Sequence, residues 1–494
     1  MLFAATLWSS LALAVSADAA TVPGCAAPGP GGDWPIYGNT VDNHHDQTAE
    51  HAITTANVGK LKLAWQLAMP DAGVIQSVPV EAEGCVFTGT SNASVLAVNA
   101  TTGRIVWSNR LAQGGGGNPF VGAGIIGAPA VANGLVYVAV TTPTASIEVA
   151  LDEATGTLVW SKVFDTDAGG GVDASPVPFN GMVLQAFQGD ESASHSNPGF
   201  VILDGSRAGD GAILVKTHVI PAADYAAGYR GASIVDTPSV DVERKLAYAG
   251  TGNPVSPAQH PLTNSLLKID LDPAHPTFGK ILASRRGTSD SYPLPKDTTP
   301  PTCLTNVQWP LGRFSCFQFD YNFISTPNLW TDSQGRRLYG GLQKSGVFLT
   351  VDTANMQQVW RKTIAIPCFG CNIGSMASDA NALYVPTVLG NLFSLNRDTG
   401  AIKWVAPLTG VTHINGVSVA NGVVYNLNDL GLLEAFSAAN GRPLLVHPLA
   451  LDTRTFTYDL GNSSGISIAR HAVFVTSQAG QSGSRLFAFR VPGV

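Results

Sequence analysis

The 494-residue sequence is 45% hydrophobic and only 13% charged, with 53 glycines, which fits a large buried core with many tight turns and excludes a disordered chain or a coiled coil. Its formal charge of -7 is thinly spread and contains no Lys/Arg run, so neither a nucleic-acid backbone nor an anionic membrane surface is an expected partner.

Residues 1–19 form an apolar run too short to cross a bilayer, and small residues at Ala17 and Ala19 suit cleavage. The segment reads as a secretory signal peptide. No Lys or Arg precedes the apolar run, which keeps a membrane anchor as the alternative reading, but no later apolar run reaches spanning length. A secreted protein, or one in another oxidising compartment of the secretory route, is therefore expected. Residues 20–494 read as one domain.

All six cysteines lie beyond the signal segment, an even number that suits disulfides. Sequence proximity favours Cys303 with Cys316 and Cys368 with Cys371, leaving Cys25 for Cys85, although six cysteines allow fifteen pairings. Zinc is not expected, because Cys368 and Cys371 have no second CxxC partner. Haem c is not expected either, since Asn372 stands where a CxxCH motif requires histidine. Asn92, Asn99 and Asn462 begin Asn-x-Ser/Thr acceptor sequences that can carry glycans.

A repeat organises the rest of the chain. VLAVNATTGRIVW at 95–107 presents an alternating strand, Asn99, a turn ending at Gly103, and Trp107. Asp152, Gly156 and Trp160 recur at the same offsets, as do Asp352 with Trp360, and Asn396 with Gly400 and Trp404. Weaker copies surround Asp204, Asp270 and Ser437. The Asp or Asn can bond its own backbone across the turn, and the glycine supplies positive φ. Another strand pair precedes most copies, so the unit is a four-stranded blade. A single blade cannot bury both faces, so the blades must stack around an axis.

The expected fold is all-β, an eight-bladed β-propeller, with seven blades as runner-up. Seven copies are visible, and the terminal strand RLFAFRV (485–491) lacks an outer partner. LKLAWQL (61–67) has the look of that partner, so the two ends of the chain are expected to close the eighth blade together. Long intervals around 205–265 and 285–325 are expected to form rim insertions, either a wall over the central funnel or plain surface loops.

The tandem D/N-x3-G-x3-W units, the DWPIYG opening at 33–38 and the GTGN tetrapeptide at 250–253 resemble the quinoprotein alcohol dehydrogenases, most of all the polyvinyl-alcohol-dehydrogenase-like branch. The resemblance implies pyrroloquinoline quinone (PQQ) on a Ca²⁺ ion in the funnel, with an aspartate as base. Hard-cation binding calls for oxygen ligands, and a carboxylate beside the cation can take a proton. Through GTGN, Asn253 falls on the family's calcium-ligating asparagine. FDYNFISTPNL (319–329) puts Asp320 on the catalytic aspartate, also beside the metal, and QKSGVFLTVD (343–352) makes Lys344 the basic residue at the quinone oxygens. GDE (189–191) makes Glu191 a metal ligand, with Asp190 as its substitute.

The chain also departs from the family pattern. Ile234 and Val235 stand where a tryptophan floor is expected, Ile373 replaces a second tryptophan, and Gln76 replaces an acidic contact. The stretch GAGIIGAPAV (122–131) lacks the vicinal cysteine pair that covers the cofactor in many members of that family and the arginine expected to pair with a quinone carboxylate. Three functions follow as alternatives. The first is an alcohol-oxidising quinoprotein. The second is a cofactor-free propeller of cyclase or isomerase type acting on an apolar small molecule, with Asp320, Lys344 and His413 as acid/base groups. The third is a non-catalytic interaction scaffold.

Overall fold

The structure is a computed structural model that describes the chain except for residues 1–21, 70–76, 113–117, 168, 190–196, 257, 290–307, 310–311, 314–320, 367–371, 410–415, 429, 450–464 and 478–483. Eight four-stranded antiparallel blades form a ring. Blades 1 and 2 run from Val80–Ala82 to Ile105–Arg110 and from Ala130–Ala132 to Leu158–Asp165. Blades 3 and 4 run from Val177–Phe179 to Ile213–His218 and from Ser239–Asp241 to Ile281–Arg286. Blades 5, 6 and 7 begin at Asn328–Thr331, Ala377–Ser378 and Val417–Ala420 and end at Gln358–Thr363, Ile402–Pro407 and Pro443–Pro448. Blade 8 takes its three inner strands from the C-terminal end, and its outer strand, Lys62–Met69, pairs antiparallel with Ser484–Arg490. The closure expected from the sequence is therefore present.

The repeat is a local turn coupled to a contact between blades. Asn99 Oδ1 accepts the amides of Thr101 and Thr102 at 3.0 and 2.9 Å, and Asp152 and Asn396 fold their turns in the same way. The glycine that follows has φ near +70° at Gly103, Gly156 and Gly400. Each of these glycines lies beneath the indole of the preceding blade: Trp65 over Gly103, Trp107 over Gly156, Trp360 over Gly400. The same indoles donate Nε1–H to the carbonyl just after the turn's Asp or Asn, at 3.1 Å to Ala100, 2.9 Å to Glu153 and 3.1 Å to Arg397.

Within a blade the tryptophan sits in a cross-strand row with a small central residue, as in Phe87–Ala97–Trp107, Tyr137–Ala150–Trp160 and Phe474–Ala488–Trp65. The two large rings meet above that small residue, 5.9–6.1 Å between centroids. A register shift beside the tryptophan in every one of these outer pairs rotates the indole toward the next blade.

The weak repeats keep the contact by other means. In blade 4 the tryptophan position is Ala283, and the facing glycine position in blade 5 is filled by Met356, at φ 58° and fully packed. The missing indole donor is replaced by Lys268, whose Nζ donates to Thr353 O at 2.7 Å, the carbonyl just after Asp352. Large and small have exchanged sides of the interface.

Cys25 and Cys85 form a disulfide that ties the N-terminal segment to blade 1, the pairing left over in the sequence once proximity had joined the other four cysteines. Closing a loop of 60 residues stabilises by roughly 4 kcal/mol in the chain-entropy account. Cys303, Cys316, Cys368 and Cys371 lie outside the described residues, as do the signal segment, Asn462 and most of 285–325. The other expected insertion, 205–265, supplies the connection that carries the short helix Ala222–Ala226.

The indole seat can be measured separately from backbone strain. Gly181 has φ +77° with open space around it, whereas a methyl on Gly156 would lie 2.3 Å from Trp107 Cε3. Gly181→Ala should cost about 1–2 kcal/mol from the left-handed backbone alone. Gly156→Ala should cost about 3 kcal/mol or more, because the indole is displaced as well. Denaturant midpoints of the two variants check the difference; equal losses would remove the tryptophan–glycine contact from the account.

Candidate functional site

The innermost strand of each blade has no further strand of its own blade on its axial edge, so its backbone groups need other partners. The sequence supplies two solutions. Pro79, Pro129, Pro176, Pro238 and Pro327 open five of these strands and present no N–H to the axis. At the opposite end of the ring, residues 32–47 run around the axis as a strap and bond to one inner strand after another. Arg470 N donates to Gly32 O, Val131 N to Pro35 O, Val240 N to Val41 O, Leu329 N to Asp42 O, Ser378 N to His44 O and Val419 N to His45 O, at 2.6–3.1 Å. Trp34 exchanges both backbone bonds with Glu81. Seven of the eight blades are thus tied in ring order, and Asp46–Gln47 adds a parallel strand to blade 7.

Above the strap lies an axial cavity of about 260 Å³ to which every blade contributes. Residues two apart alternate back to the same face of a strand, so the lead-ins of blades 2 to 6 each send two side chains to the axis. Those nearer the open end are Ile126, Asp173, Val235, Ile324 and Ile373. Nearer the strap are Ala128, Ser175, Thr237, Thr326 and Ser375, completed by Val78, Gly416 and Gly465. The hydroxyls form an arc: Ser175 Oγ accepts Ala128 N, Thr237 Oγ1 accepts Ser175 N, Thr326 Oγ1 accepts Thr237 N, and Ser375 Oγ accepts Thr326 N, at 2.8–3.4 Å. Tyr37 and His45 of the strap close the bottom, with Tyr37 Oη 2.6 Å from Ser375 Oγ.

The electrostatics of this axis follow from burial. Desolvation pushes His45 down to about 3, so its imidazole is neutral, and its ring stands edge-on to Tyr37 with centroids 4.7 Å apart. Desolvation likewise raises Asp173, against a hydrogen bond from Gln188 that lowers it. Asp236, buried behind the lead-in of blade 4, is pushed up to about 8 by desolvation, although Gly250 N donates to its Oδ2 at 2.9 Å. Buried carboxyls without a cationic partner favour the protonated form.

The residues singled out from the sequence fall into three groups. Asn253 and Lys344 are buried, 2% and 6% exposed, just beyond the second strands of adjacent blades 4 and 5 at the end opposite the strap. Backbone bonds link their surroundings: Asn253 O accepts Ala232 N, Thr251 O accepts Phe323 N, and Asn322 O accepts Lys344 N. Asn372 Nδ2 donates to Lys344 O at 3.2 Å, which extends the same rim to blade 6. Gly189, at the start of the GDE segment, donates to Ser233 Oγ, and Ser233 O accepts Gly252 N, so that segment begins beside GTGN.

Ile373 lines the axis, whereas Ile234 lies in the apolar cluster between blades 3 and 4 and Val235 takes the axial position. The alternation of the extended backbone decides this. Gln76, Asp190, Glu191, Asp320 and His413 lie outside the described residues. Among the described residues, no three of His, Cys, Asp and Glu stand together as a metal cluster. Asp173, Asp236, Tyr37 and His45 were not anticipated; the only local signal is an acid shortly before Ser-Pro or Thr-Pro in two lead-ins.

Asp236 yields a pH test. An acid whose folded pKa lies above its unfolded value of 3.8 destabilises the fold increasingly as pH rises from about 4 to about 8. Asp236→Asn retains an acceptor for Gly250 and cannot ionise. The variant should match the wild type near pH 4 and be the more stable protein at pH 8, by on the order of several kcal/mol. Unfolding curves at the two pH values check this, and a difference independent of pH would show that the carboxyl is not held protonated.

Residues 55–265 and 344–490 match the family model described as outer membrane protein assembly factor BamB, PQQ_2. Among curated proteins, the chain is 24% identical to the polyvinylalcohol dehydrogenase of Sphingopyxis sp. (strain 113P3), over 94% of this chain and 77% of that protein. It is 25% identical to the polyvinylalcohol dehydrogenase of a Pseudomonas sp., over 83% of this chain and 66% of that protein. The crystal structure of quinohemoprotein alcohol dehydrogenase from Comamonas testosteroni superposes with a TM-score of 0.69 at 18% identity, covering 94% of this chain and 81% of the other. At that identity the likeness concerns the fold. With the family model matched over most of the chain and eight PQQ-type blades in the structure, the chain belongs to the PQQ_2 family and, more broadly, to the quinoprotein alcohol dehydrogenase-like propellers.

Proposed function

We propose that this protein is an exported alcohol oxidoreductase whose reactive site is the open end of the axial cavity, with PQQ and Ca²⁺ held there. The observation that carries this reading is the joint burial of Asn253 and Lys344 at the end of adjacent blades 4 and 5 opposite the strap, outside the lining of the cavity itself. An amide oxygen is the ligand type a hard cation takes, and an ammonium suits the oxygens of a quinone carboxylate. The aliphatic walls from Val235, Ile324 and Ile373 can flank a flat ring, though with less contact than an aromatic floor.

In this reading Asn253 and the carboxylates of Glu191 and Asp320 hold the metal, and Lys344 neutralises charge on the cofactor. When bound, the quinone serves as hydride acceptor and the calcium polarises its reacting carbonyl. The carboxylate of Asp320 takes the hydroxyl proton of the alcohol at its oxygen. Ile373 and Val235 exclude water from one side. The Cys25–Cys85 disulfide supports an oxidising compartment, and the relatives' printed activity, dehydrogenation of polyvinyl alcohol, makes a secondary alcohol the first substrate to try.

A second reading has its own support. Aliphatic side chains at Val235 and Ile373, with an acid at Asp173, also suit a funnel that handles an apolar molecule without a cofactor. One titration separates the two. Purified protein should take up PQQ in the presence of Ca²⁺, followed by the quinone absorbance, and reduce a dye when given a secondary alcohol. Lys344→Ala should weaken uptake by at least about tenfold, the equivalent of one charge-assisted bond. Asp320→Asn should retain uptake and lose turnover. Absence of saturable uptake would reject the cofactor reading and leave the second.

A further inference from the structure

The cavity continues below the level at which Ile373 and Val235 stand, and that lower part takes no role in the reading above. We propose that the closed end of the axial cavity binds a small uncharged aliphatic molecule bearing a hydroxyl or carbonyl group, inserted with its polar end toward the strap. The site is independent of quinone and calcium.

Shape is the first argument. Tyr37 and His45 close the base, and Ile126, Val235, Ile324 and Ile373 form an apolar neck. A cavity of about 150 Å³ holds benzene, so the whole axial cavity of about 260 Å³, neck included, has room for about ten non-hydrogen atoms, and a molecule with its polar end at the strap extends up into the neck. Two glycines, Gly416 and Gly465, leave blades 7 and 8 without side chains at the level of the hydroxyls; a methyl on Gly465 would meet Val78 Cγ2 at 2.7 Å.

Hydrogen bonding is the second. Ser175 and Thr237 each accept one backbone N–H, and no acceptor among the described residues takes their hydroxyl hydrogens. Tyr37 Oη and Ser375 Oγ share one hydrogen bond and retain further capacity. A ligand oxygen in reach of this arc can accept from one hydroxyl and donate to another.

Charge is the third. No Lys or Arg is among the described lining residues, which therefore offer an anion no counter-charge. Asp173 is raised by burial, and no charged group contributes to its shift. His45, the other titratable lining group besides Asp236 and Tyr37, is neutral. Removing a full charge from water into such a site costs far more than removing a hydroxyl. A thin, neutral, amphiphilic molecule satisfies all three conditions.

The test uses the full chain with no quinone or calcium added, so its failure is separable from failure of the oxidoreductase reading. 1-Hexanol, hexylammonium and hexanoate are titrated at pH 7 by calorimetry, with melting temperature as a second readout. Saturable binding of 1-hexanol is expected, with hexanoate at least tenfold weaker. Tyr37→Phe with Thr326→Val should weaken 1-hexanol at least tenfold, and should also lower the melting temperature of the free protein because Thr237 N loses its acceptor. Ile373→Trp, which leaves the hydroxyl arc intact, should block entry and abolish binding, and it decides the matter if the double variant does not fold. Absence of saturable binding, or wild-type affinity in Ile373→Trp, overturns the site. Tighter binding of hexylammonium than of 1-hexanol makes Asp173 a counter-ion and overturns the neutral assignment.

Discussion

A blade can bury its faces only against other blades, and in this ring a single repeated contact sets how they meet. An indole leaves the outer strand at a bulge, covers a glycine in the next blade's turn, and donates its N–H to the carbonyl beside that turn. The three parts of the contact have different origins. The bulge aims the ring, the glycine makes room for it, and the Asp or Asn fixes the turn that presents the carbonyl. Blade 4 shows that the geometry matters more than the residue type, because Lys268 and Met356 rebuild the same interface from an amine and a thioether.

Fixing the interface fixes the axis. Each lead-in arrives at the same height and sends alternate side chains inward, so side chains from distant parts of the chain stand in common rings. The outer contacts join each blade to the next, whereas the axial side chains face the cavity and bond only to their ring neighbours and to the strap. An acid stands among aliphatics at one level, and hydroxyls stand with glycines at the next. Chemistry in such a fold belongs where the scaffold places the fewest demands on the residue.

This division explains what was legible in the sequence. Turn chemistry is local, so Asn99–Gly103–Trp107 and its copies declare the blades, and Trp65 identifies its strand as the missing outer strand of blade 8. The turns after Asp204 and Asp270 are longer, yet Gly211 and Gly279 still precede the tryptophan position by the same spacing as Gly103, which is why these copies remain recognisable. The axial residues carry no such pattern. Tyr37 and His45 reach the cavity only because the strap folds beneath it, and Asp173 and Ser375 meet through ring geometry alone. Ile234 and Val235 differ by one residue in sequence and by the whole thickness of a strand in space, so a floor position read from the sequence could fall on either.

The strap at 32–47 carries a consequence for the order in which the molecule assembles. It precedes every complete blade in the chain, yet its partners are spread over seven of them, up to Arg470. No half of the propeller offers a full set of those partners, so a segment that precedes all the complete blades in the chain is among the last to reach its final place. Until the circle is complete, the shaft is open at both ends; docking of the strap turns a hole into a cup.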